Sequence, residues 1–182
     1  MTVEKCARRY VGYLEHETAD LLGVYRANPG KGGYTIFADK VSRHYRWRNF
    51  QGIPWCATFV HAVFLEAFGA EKARQLLGKP HPGTRVLARR LRRRKMLRDK
   101  TYRPKAGDII FLSNFNDEEI GHVGIVVETD EKMVYSVEGN TIDPSGVFER
   151  EDGGAVALRG REFSNPAIVC YGEVHKGSGM YE

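Results

Sequence analysis

The sequence lacks the long apolar segments of membrane proteins and the cysteine framework of small secreted domains. No apolar run approaches the roughly 18 residues that a membrane-spanning helix needs, so we expect no membrane insertion. The first residues contain no signal-peptide stretch, which predicts synthesis in the cytoplasm. The three cysteines, Cys6, Cys56 and Cys170, are scattered and odd in number, which favours reduced thiols over disulfides.

Internal repeats, low-complexity tracts and linkers are also absent, so one folded unit is expected. The 182 residues are 42% hydrophobic and 28% charged, as in ordinary globular proteins. Aromatic residues make up 11%, which supplies bulky side chains for burial and argues against disorder. We predict a single domain over residues 1–182, and a monomer.

Helical spacing of apolar residues dominates the first half of the chain, and short apolar runs typical of strands dominate the second half. Helices are predicted at residues 3–22, 34–47, 55–68, 71–77 and 85–100. Strands are predicted at residues 107–112, 122–128, 133–138, 146–150 and 167–172. Gly69 is expected to end the third helix. The strand connections are too short for helical crossovers, which indicates a mainly antiparallel sheet of about five strands and an α+β fold.

Cys56 is the first candidate for chemistry, because it lies in the first turn of the helix predicted at residues 55–68. Free backbone N–H groups and the helix dipole at that position favour a thiolate, and the same N–H groups can hold an oxyanion. A thiolate there can attack a carbonyl carbon. The alternative is that Cys56 is a small buried residue, as most lone cysteines are.

His122 and Glu138 are candidates to complete a triad with Cys56 if the strands that carry them form a tight hairpin. A three-residue turn would pair Glu128 with Lys132, a favourable opposite-charge pair, and would then place His122 opposite Glu138. Glu138 would accept a hydrogen bond from the imidazole and orient it. A four-residue turn would instead put Glu138 on the other face. The simpler alternatives are a histidine bonded to backbone and an exposed carboxylate at a strand end.

Four segments, in their order along the chain, resemble the CHAP family, which belongs with the NlpC-type, papain-like amidases and peptidases. They are residues 54–60 (PWCATFV), 105–111 (KAGDIIF), 121–126 (GHVGIV) and 137–141 (VEGNT). Each segment is modest alone, but the ordered set is specific, and the resemblance extends over about residues 7–174. It implies a papain-like fold, with N-terminal helices packed on the sheet, that hydrolyses amide bonds in peptidoglycan.

The resemblance also implies roles for individual residues. Cys56 would be the nucleophile, His122 the general base and then acid, and Glu138 the residue that orients the histidine. Asn140 matches a further polar position of the family site. Trp55, which precedes the nucleophile, is a candidate to contact substrate along the cleft, and a position in the core is an equal alternative.

Two features of related enzymes, a calcium-binding loop and a glutamine before the nucleophile, can be compared with this sequence. Some CHAP members bind calcium through an acidic loop before the nucleophile, but residues 42–49 are basic and contain no carboxylate, so we predict no metal and no cofactor. Papain-like proteases also use a glutamine upstream of the cysteine to stabilise the oxyanion. Gln51 lies in that neighbourhood and is a candidate for contact with substrate, although the sequence does not establish the required spacing.

Positive charge is concentrated in residues 85–100, which hold nine basic side chains and one acid. This segment carries +8, and because the whole chain carries +5, the remainder carries −3. Such a segment can bind polyanions, including nucleic acid and the teichoic polymers of cell walls, with a salt-dependent affinity. A solvated surface helix is an equal alternative. No helix-turn-helix, zinc or aromatic RNA-binding pattern accompanies it.

The main hypothesis is a cell-wall hydrolase that cleaves an amide bond through a cysteine thioester, as an N-acetylmuramoyl-L-alanine amidase or an endopeptidase. Two rival hypotheses are a non-catalytic polyanion-binding module on the same fold and a thiol amidase with a non-wall substrate. Without a visible export signal, the protein is expected to reach the wall after lysis or with the help of a partner.

Overall fold

The computed structural model describes residues 1–24, 27–46, 48–114, 119–142 and 153–174. Four helices come first and six strands follow, as the division of the sequence predicts. The helices are α1 (Val3–Arg8), α2 (Ile36–His44), α3 (Cys56–Leu77) and α4 (Thr84–Arg93). The strands are β1 (Leu97–Asp99), β2 (Ile109–Leu112), β3 (His122–Thr129), β4 (Met133–Thr141), β5 (Ala155–Glu162) and β6 (Ile168–Gly172). No helix in these ranges combines the length and apolar character that crossing a membrane requires.

All six strands belong to one sheet, in the order β1-β6-β2-β3-β4-β5, and every neighbouring pair is antiparallel. The predicted α+β fold with a mainly antiparallel sheet is confirmed, with six strands in place of about five. β1 lies within the basic helix predicted at residues 85–100, and β5 has no counterpart in the prediction. The strand predicted at residues 146–150 lies outside the described residues.

The helix predicted over residues 3–22 is much shorter, because α1 ends at Arg8 and the chain then turns toward the sheet. Gly12 has a φ of 90°, which ends helical geometry. The Gly12 N–H donates to the Val156 carbonyl, and the Val156 N–H donates to the Tyr13 carbonyl, each at 2.8 Å. The segment after α1 therefore covers the outer edge of β5, and its apolar spacing reflects core contacts made outside a helix.

α3 is the central helix, and it contacts α1, α2, α4, β3 and β4. Its first ten residues, 56–65, are all buried. Gly69 interrupts the helix with a φ of 78° and a ψ of 168°, which confirms the predicted end of the helix that begins near Trp55. A second helical segment then continues to Leu77, as predicted for residues 71–77.

α4 packs beside the end of α3. The helix predicted over residues 85–100 ends earlier, because the chain passes into β1. Arg94, which follows α4, donates from Nη1 to the carbonyls of Gln75 and Leu76, each at 2.8 Å. These carbonyls belong to the last turn of α3 and have no partner within that helix, so Arg94 satisfies groups that would otherwise remain unpaired.

Close packing of α3 against β4 leaves no room for a side chain at Gly139. A Cβ there would lie 2.6 Å from Phe59 Cβ and 2.7 Å from the Trp55 ring. We expect Gly139→Ala to lower the free energy of unfolding by about 1–3 kcal/mol, because the aromatic core must shift. Urea unfolding measures this change. Gly23→Ala is the matched control, since a Cβ at Gly23 meets nothing within 4 Å. Native stability of Gly139→Ala would contradict this description of the packing.

Candidate active site

Cys56 is the first residue of α3 and is only 5% exposed. The preceding residue, Trp55, provides no side-chain cap, and its carbonyl accepts a hydrogen bond from the Phe59 N–H. The N–H groups at the start of α3 therefore have no partner within the helix. A negative charge at Cys56 Sγ, or on an atom bound to it, would be stabilised by these N–H groups and by the helix dipole.

Trp55 anchors the start of α3 from inside the core. Its indole is fully buried, stacks on Phe37 with ring centroids 5.6 Å apart, and donates from Nε1 to Glu15 Oε2 at 2.7 Å. The contact of Trp55 with substrate stays a prediction. The core alternative describes its position.

Gln51 is committed to the loop that precedes α3. Its Oε1 accepts from the Thr35 N–H at 2.8 Å, and its Nε2 donates to the Thr35 carbonyl at 2.9 Å. The carboxamide thus ties this loop to the start of α2, and Gln51 is not among the residues that line the cleft beside Cys56. The structure therefore gives Gln51 a supporting contact, and its contact with substrate stays a prediction.

The β3–β4 hairpin brings His122 and Glu138 together through a register that differs from the predicted one. The predicted pairing of Glu128 with Lys132 is wrong, because Glu128 pairs with Tyr135. This offset of three residues would by itself reverse the faces of the strand. A bulge in β3 just before Glu128 reduces the offset to two and restores the predicted faces. His122 Nε2 lies 3.1 Å from Glu138 Oε2 as a result.

Glu138 is a fully buried carboxylate with partners on both oxygens. Oε1 accepts from the Ser136 hydroxyl at 2.6 Å and from Arg161 Nη1, while Oε2 accepts from Arg161 Nη2 at 3.2 Å and faces His122. Burial alone would raise the pKa of Glu138, but the hydrogen bond and charge of His122, followed by those of Arg161, lower it to about 2. Glu138 is therefore an anion at neutral pH.

His122 lies between Cys56 and Glu138. Burial alone would lower the pKa of His122, but hydrogen bonds to the Cys56 side chain and then to Glu138 raise it to about 10. Because Nε2 faces Glu138, the other ring nitrogen, Nδ1, is left for Cys56. The imidazolium is thus stabilised from both sides, as in enzymes whose cysteine nucleophile has a histidine partner.

A cleft of about 730 Å³ contains these three side chains. Asn140 also lines it, with a left-handed φ of 57° at the point where the pairing of β4 with β5 shifts register. The structure therefore gathers Cys56, His122, Glu138 and Asn140 at one cleft. Further polar residues that line the cleft are Ser113, Asn114, Arg159 and Arg161.

Arg161 is the residue of this site that sequence reasoning missed. It lies on β5 two residues after Arg159, so both side chains share one face of the strand, and β5 pairs with β4 throughout its length. A signal was present, since arginine alternates with other residues at positions 157–162 as on a half-exposed strand. The pairing partner of that strand is not readable from the sequence.

The two other cysteines differ from Cys56 in their surroundings. Burial raises the pKa of Cys6, and burial raises the pKa of Cys170 to about 11. Neither of these residues lines the cleft. Across the described part of the chain, no three histidine, cysteine, aspartate or glutamate side chains come together as a metal site would need.

Comparison with known protein families gives a match. The family model of the CHAP domain matches residues 48–140, just over half of the chain. The matched stretch includes Cys56, His122, Glu138 and Asn140, and it ends before β5. No curated protein matches the sequence.

We expect His122 to stay protonated through neutral pH, because its interactions with Cys56 and Glu138 raise its pKa to about 10. Cys56→Ala removes the first of these interactions, so the pKa of His122 should fall in that variant. Histidine NMR shifts followed from acidic to alkaline pH measure both values. His61, whose burial lowers its pKa to about 3, serves as an internal reference that stays neutral. A His122 that titrates near 6.5 in both proteins would contradict this arrangement.

Arg161→Gln should destabilise the protein by about 1–3 kcal/mol at neutral pH, because it removes a charged donor from the buried Glu138 carboxylate. The lowered pKa of Glu138 stabilises the fold above about 4.5, and this stabilisation is lost as the pH falls toward 2. The difference in the free energy of unfolding between the variant and the native protein should therefore become smaller below pH 4.5.

Urea unfolding at several pH values measures this difference. Arg159→Gln is the matched control, since Arg159 lines the same cleft and has no contact with Glu138 among the described residues. Equal losses of stability in the two variants at neutral pH would show that the ion pair between Arg161 and Glu138 makes no specific contribution to stability.

Proposed function

Because this chain belongs to the CHAP domain family, we propose that it hydrolyses an amide bond of peptidoglycan with Cys56 as the nucleophile. At family level, the CHAP domain indicates a hydrolase of the peptidoglycan amidase or peptidase type. One observation carries the finer assignment of a cysteine-dependent route. Cys56, His122 and Glu138 line one cleft at the start of a helix, His122 Nε2 lies 3.1 Å from Glu138 Oε2, and interaction with the Cys56 side chain raises the pKa of His122.

The first half of the proposed reaction forms a thioester. Cys56 Sγ, as a thiolate, attacks the carbonyl carbon of the amide, and an electron pair moves onto the carbonyl oxygen. The N–H groups at the start of α3 hold this oxyanion. When the tetrahedral intermediate collapses, the carbon–nitrogen bond breaks. The His122 imidazolium then gives its proton to the leaving amine, so the amine departs neutral.

The second half releases the acid and restores the enzyme. Neutral His122 takes a proton from water as the water oxygen attacks the thioester carbon, and the same N–H groups hold the second oxyanion. The carbon–sulfur bond then breaks, which leaves a carboxylic acid product and the pair of Cys56 thiolate and His122 imidazolium. One water is consumed for each amide bond cleaved.

Glu138 supports both halves by remaining charged. Its Oε2 holds His122 Nε2, so the imidazole keeps the orientation that leaves Nδ1 facing Cys56. Because His122 and Arg161 lower the pKa of Glu138 to about 2, this carboxylate does not take the proton itself at neutral pH. Arg161 is thus a positioning residue, which acts on His122 through Glu138.

Digestion of purified sacculi tests the proposal. We expect soluble muropeptides with new amine and carboxyl termini, identified by mass spectrometry. A free alanine amino group beside an intact muramic acid carboxyl group would identify an N-acetylmuramoyl-L-alanine amidase. Termini within the stem peptide or the cross-bridge would identify an endopeptidase.

Cysteine variants test the nucleophile. Cys56→Ala should lower the rate by about a thousandfold or more, since it removes the atom that forms the thioester. Cys6→Ala is the matched control and should retain the native rate, because Cys6 lies on α1, outside the cleft. Native activity of Cys56→Ala would refute the assignment. Cysteine-dependent cleavage of a small amide or a protein, without release of muropeptides from any sacculus, would support Cys56 as the nucleophile and reject peptidoglycan as the substrate.

A further inference from the structure

The side chains of α4 and of Arg94, the residue after it, point in three directions. Leu87 and Leu91 face the core and are fully buried. Arg90 donates to the Lys79 carbonyl, and Arg94 donates to the last carbonyls of α3. Two members of the basic segment are therefore structural, since they satisfy backbone groups at the end of a helix.

The third direction carries exposed arginines. Arg85, Arg89 and Arg92 recur at intervals of four and three residues, so they share one face of the helix. Arg85 donates from Nε to the Ile120 carbonyl at 3.0 Å and pairs with Glu119. Both side chains of this pair are about two-thirds exposed, at 68% and 69%, and such pairs contribute little to stability. Arg89 and Arg92 are exposed and have no partner among the described residues.

Of Arg85, Arg89 and Arg92, only Arg85 pairs with a carboxylate among the described residues, so positive charge remains in excess on this face. Burial lowers the pKa of Arg90, and Arg94 and Arg89 lower it further. Burial also lowers the pKa of His81, and the charges of Arg90, Arg48 and Arg89 add to the effect. A positive field of this kind attracts anions.

Two surface hollows lie beside this face and next to the candidate active site. They measure about 640 and 340 Å³, and both are lined by Arg92 and Ile120. Gly121, the residue after Ile120, lines the cleft that contains Cys56. Pro166 lines the larger hollow, and the next residue, Ala167, lines the cleft. The hollows and the cleft are therefore adjacent.

We propose that the arginine face, formed by Arg85, Arg89 and Arg92 with the two hollows, binds a phosphodiester polymer attached to the peptidoglycan that the cleft cuts. The inference rests on the proposed function and adds a second contact with the same substrate. A guanidinium matches a phosphate with two parallel hydrogen bonds. Arginines that recur along a helix suit a ligand with repeated charges, whereas a single small anion would engage only one or two of them.

Adjacency to the cleft favours a wall polymer over nucleic acid. A polymer attached to the peptidoglycan strand would lie beside the amide bond that enters the cleft, so one molecule would occupy both surfaces. Binding there would raise the local concentration of the scissile bond without any new contact at Cys56.

The test uses sacculi that retain their phosphodiester polymer and the same sacculi stripped of it with hydrofluoric acid. Sedimentation measures binding of the full chain in a Cys56→Ala background, and release of muropeptides measures hydrolysis with Cys56 intact. Arg89→Glu with Arg92→Glu reverses two charges on the arginine face. Lys5→Glu with Lys132→Glu is the matched control, because it changes the net charge equally at two exposed residues that line neither hollow.

We expect the native face to bind polymer-bearing sacculi about tenfold more tightly than stripped sacculi, with the difference shrinking as salt rises. The arginine variant should lose this difference, yet hydrolyse stripped sacculi at the native rate, and the control should match the native protein. Soluble poly(glycerol phosphate) should compete with the sacculi more effectively than a DNA duplex of equal phosphate content.

Three results would overturn the inference: equal binding to both kinds of sacculi, equal losses in the control variant, or stronger competition by the DNA duplex. The last result would assign the face to nucleic acid. If no sacculus is hydrolysed, the proposed function fails, but the sedimentation measurement still decides whether the arginine face binds the polymer.

Discussion

The buried charge of Glu138 is the constraint on which the candidate site depends. Moving a carboxylate out of water costs several kcal/mol, so a fold that buries one must surround it with compensating groups. Here the compensation comes from three adjacent strands, through His122 on β3, Ser136 on β4 and Arg161 on β5. The register of all three strands must be correct before the carboxylate is tolerated. Assembly of the sheet and assembly of the site are therefore one process.

The predicted proximity of His122 and Glu138 is observed although the predicted strand register is wrong. Side chains alternate between the faces of a strand, so an error of two residues in pairing leaves every side chain on its predicted face. The bulge before Glu128 supplies the single residue that makes the offset even. The helix start at Cys56 and the break at Gly69 are likewise predictable, because local backbone preferences decide both of them.

The remainder of the site depends on contacts between distant parts of the chain, which single-sequence patterns do not reveal. Trp55 lies in the core because Glu15, far away in sequence, accepts its indole N–H, and Gln51 is occupied because the start of α2 passes beside it. Arg161 depends on the pairing of β5 with β4, and it lies beyond the residues that match the CHAP domain. The family match thus covers Cys56, His122 and Glu138 and omits Arg161, which together with His122 lowers the pKa of Glu138.

Pairing of the segment after α1 with β5 has a consequence for the order of folding. Tyr13 and Val156 are hydrogen-bonded although most of the chain lies between them in sequence. Contacts between such distant residues form late, because a long loop must close before the contacts can stabilise the fold. On the ribosome, Cys56, His122 and Glu138 emerge before the strand that carries Arg161. A nascent chain therefore holds these three side chains before Arg161, one of the groups that compensate the buried Glu138 carboxylate. The arrangement of the cleft is therefore complete only after β5 has been synthesised and has paired with β4.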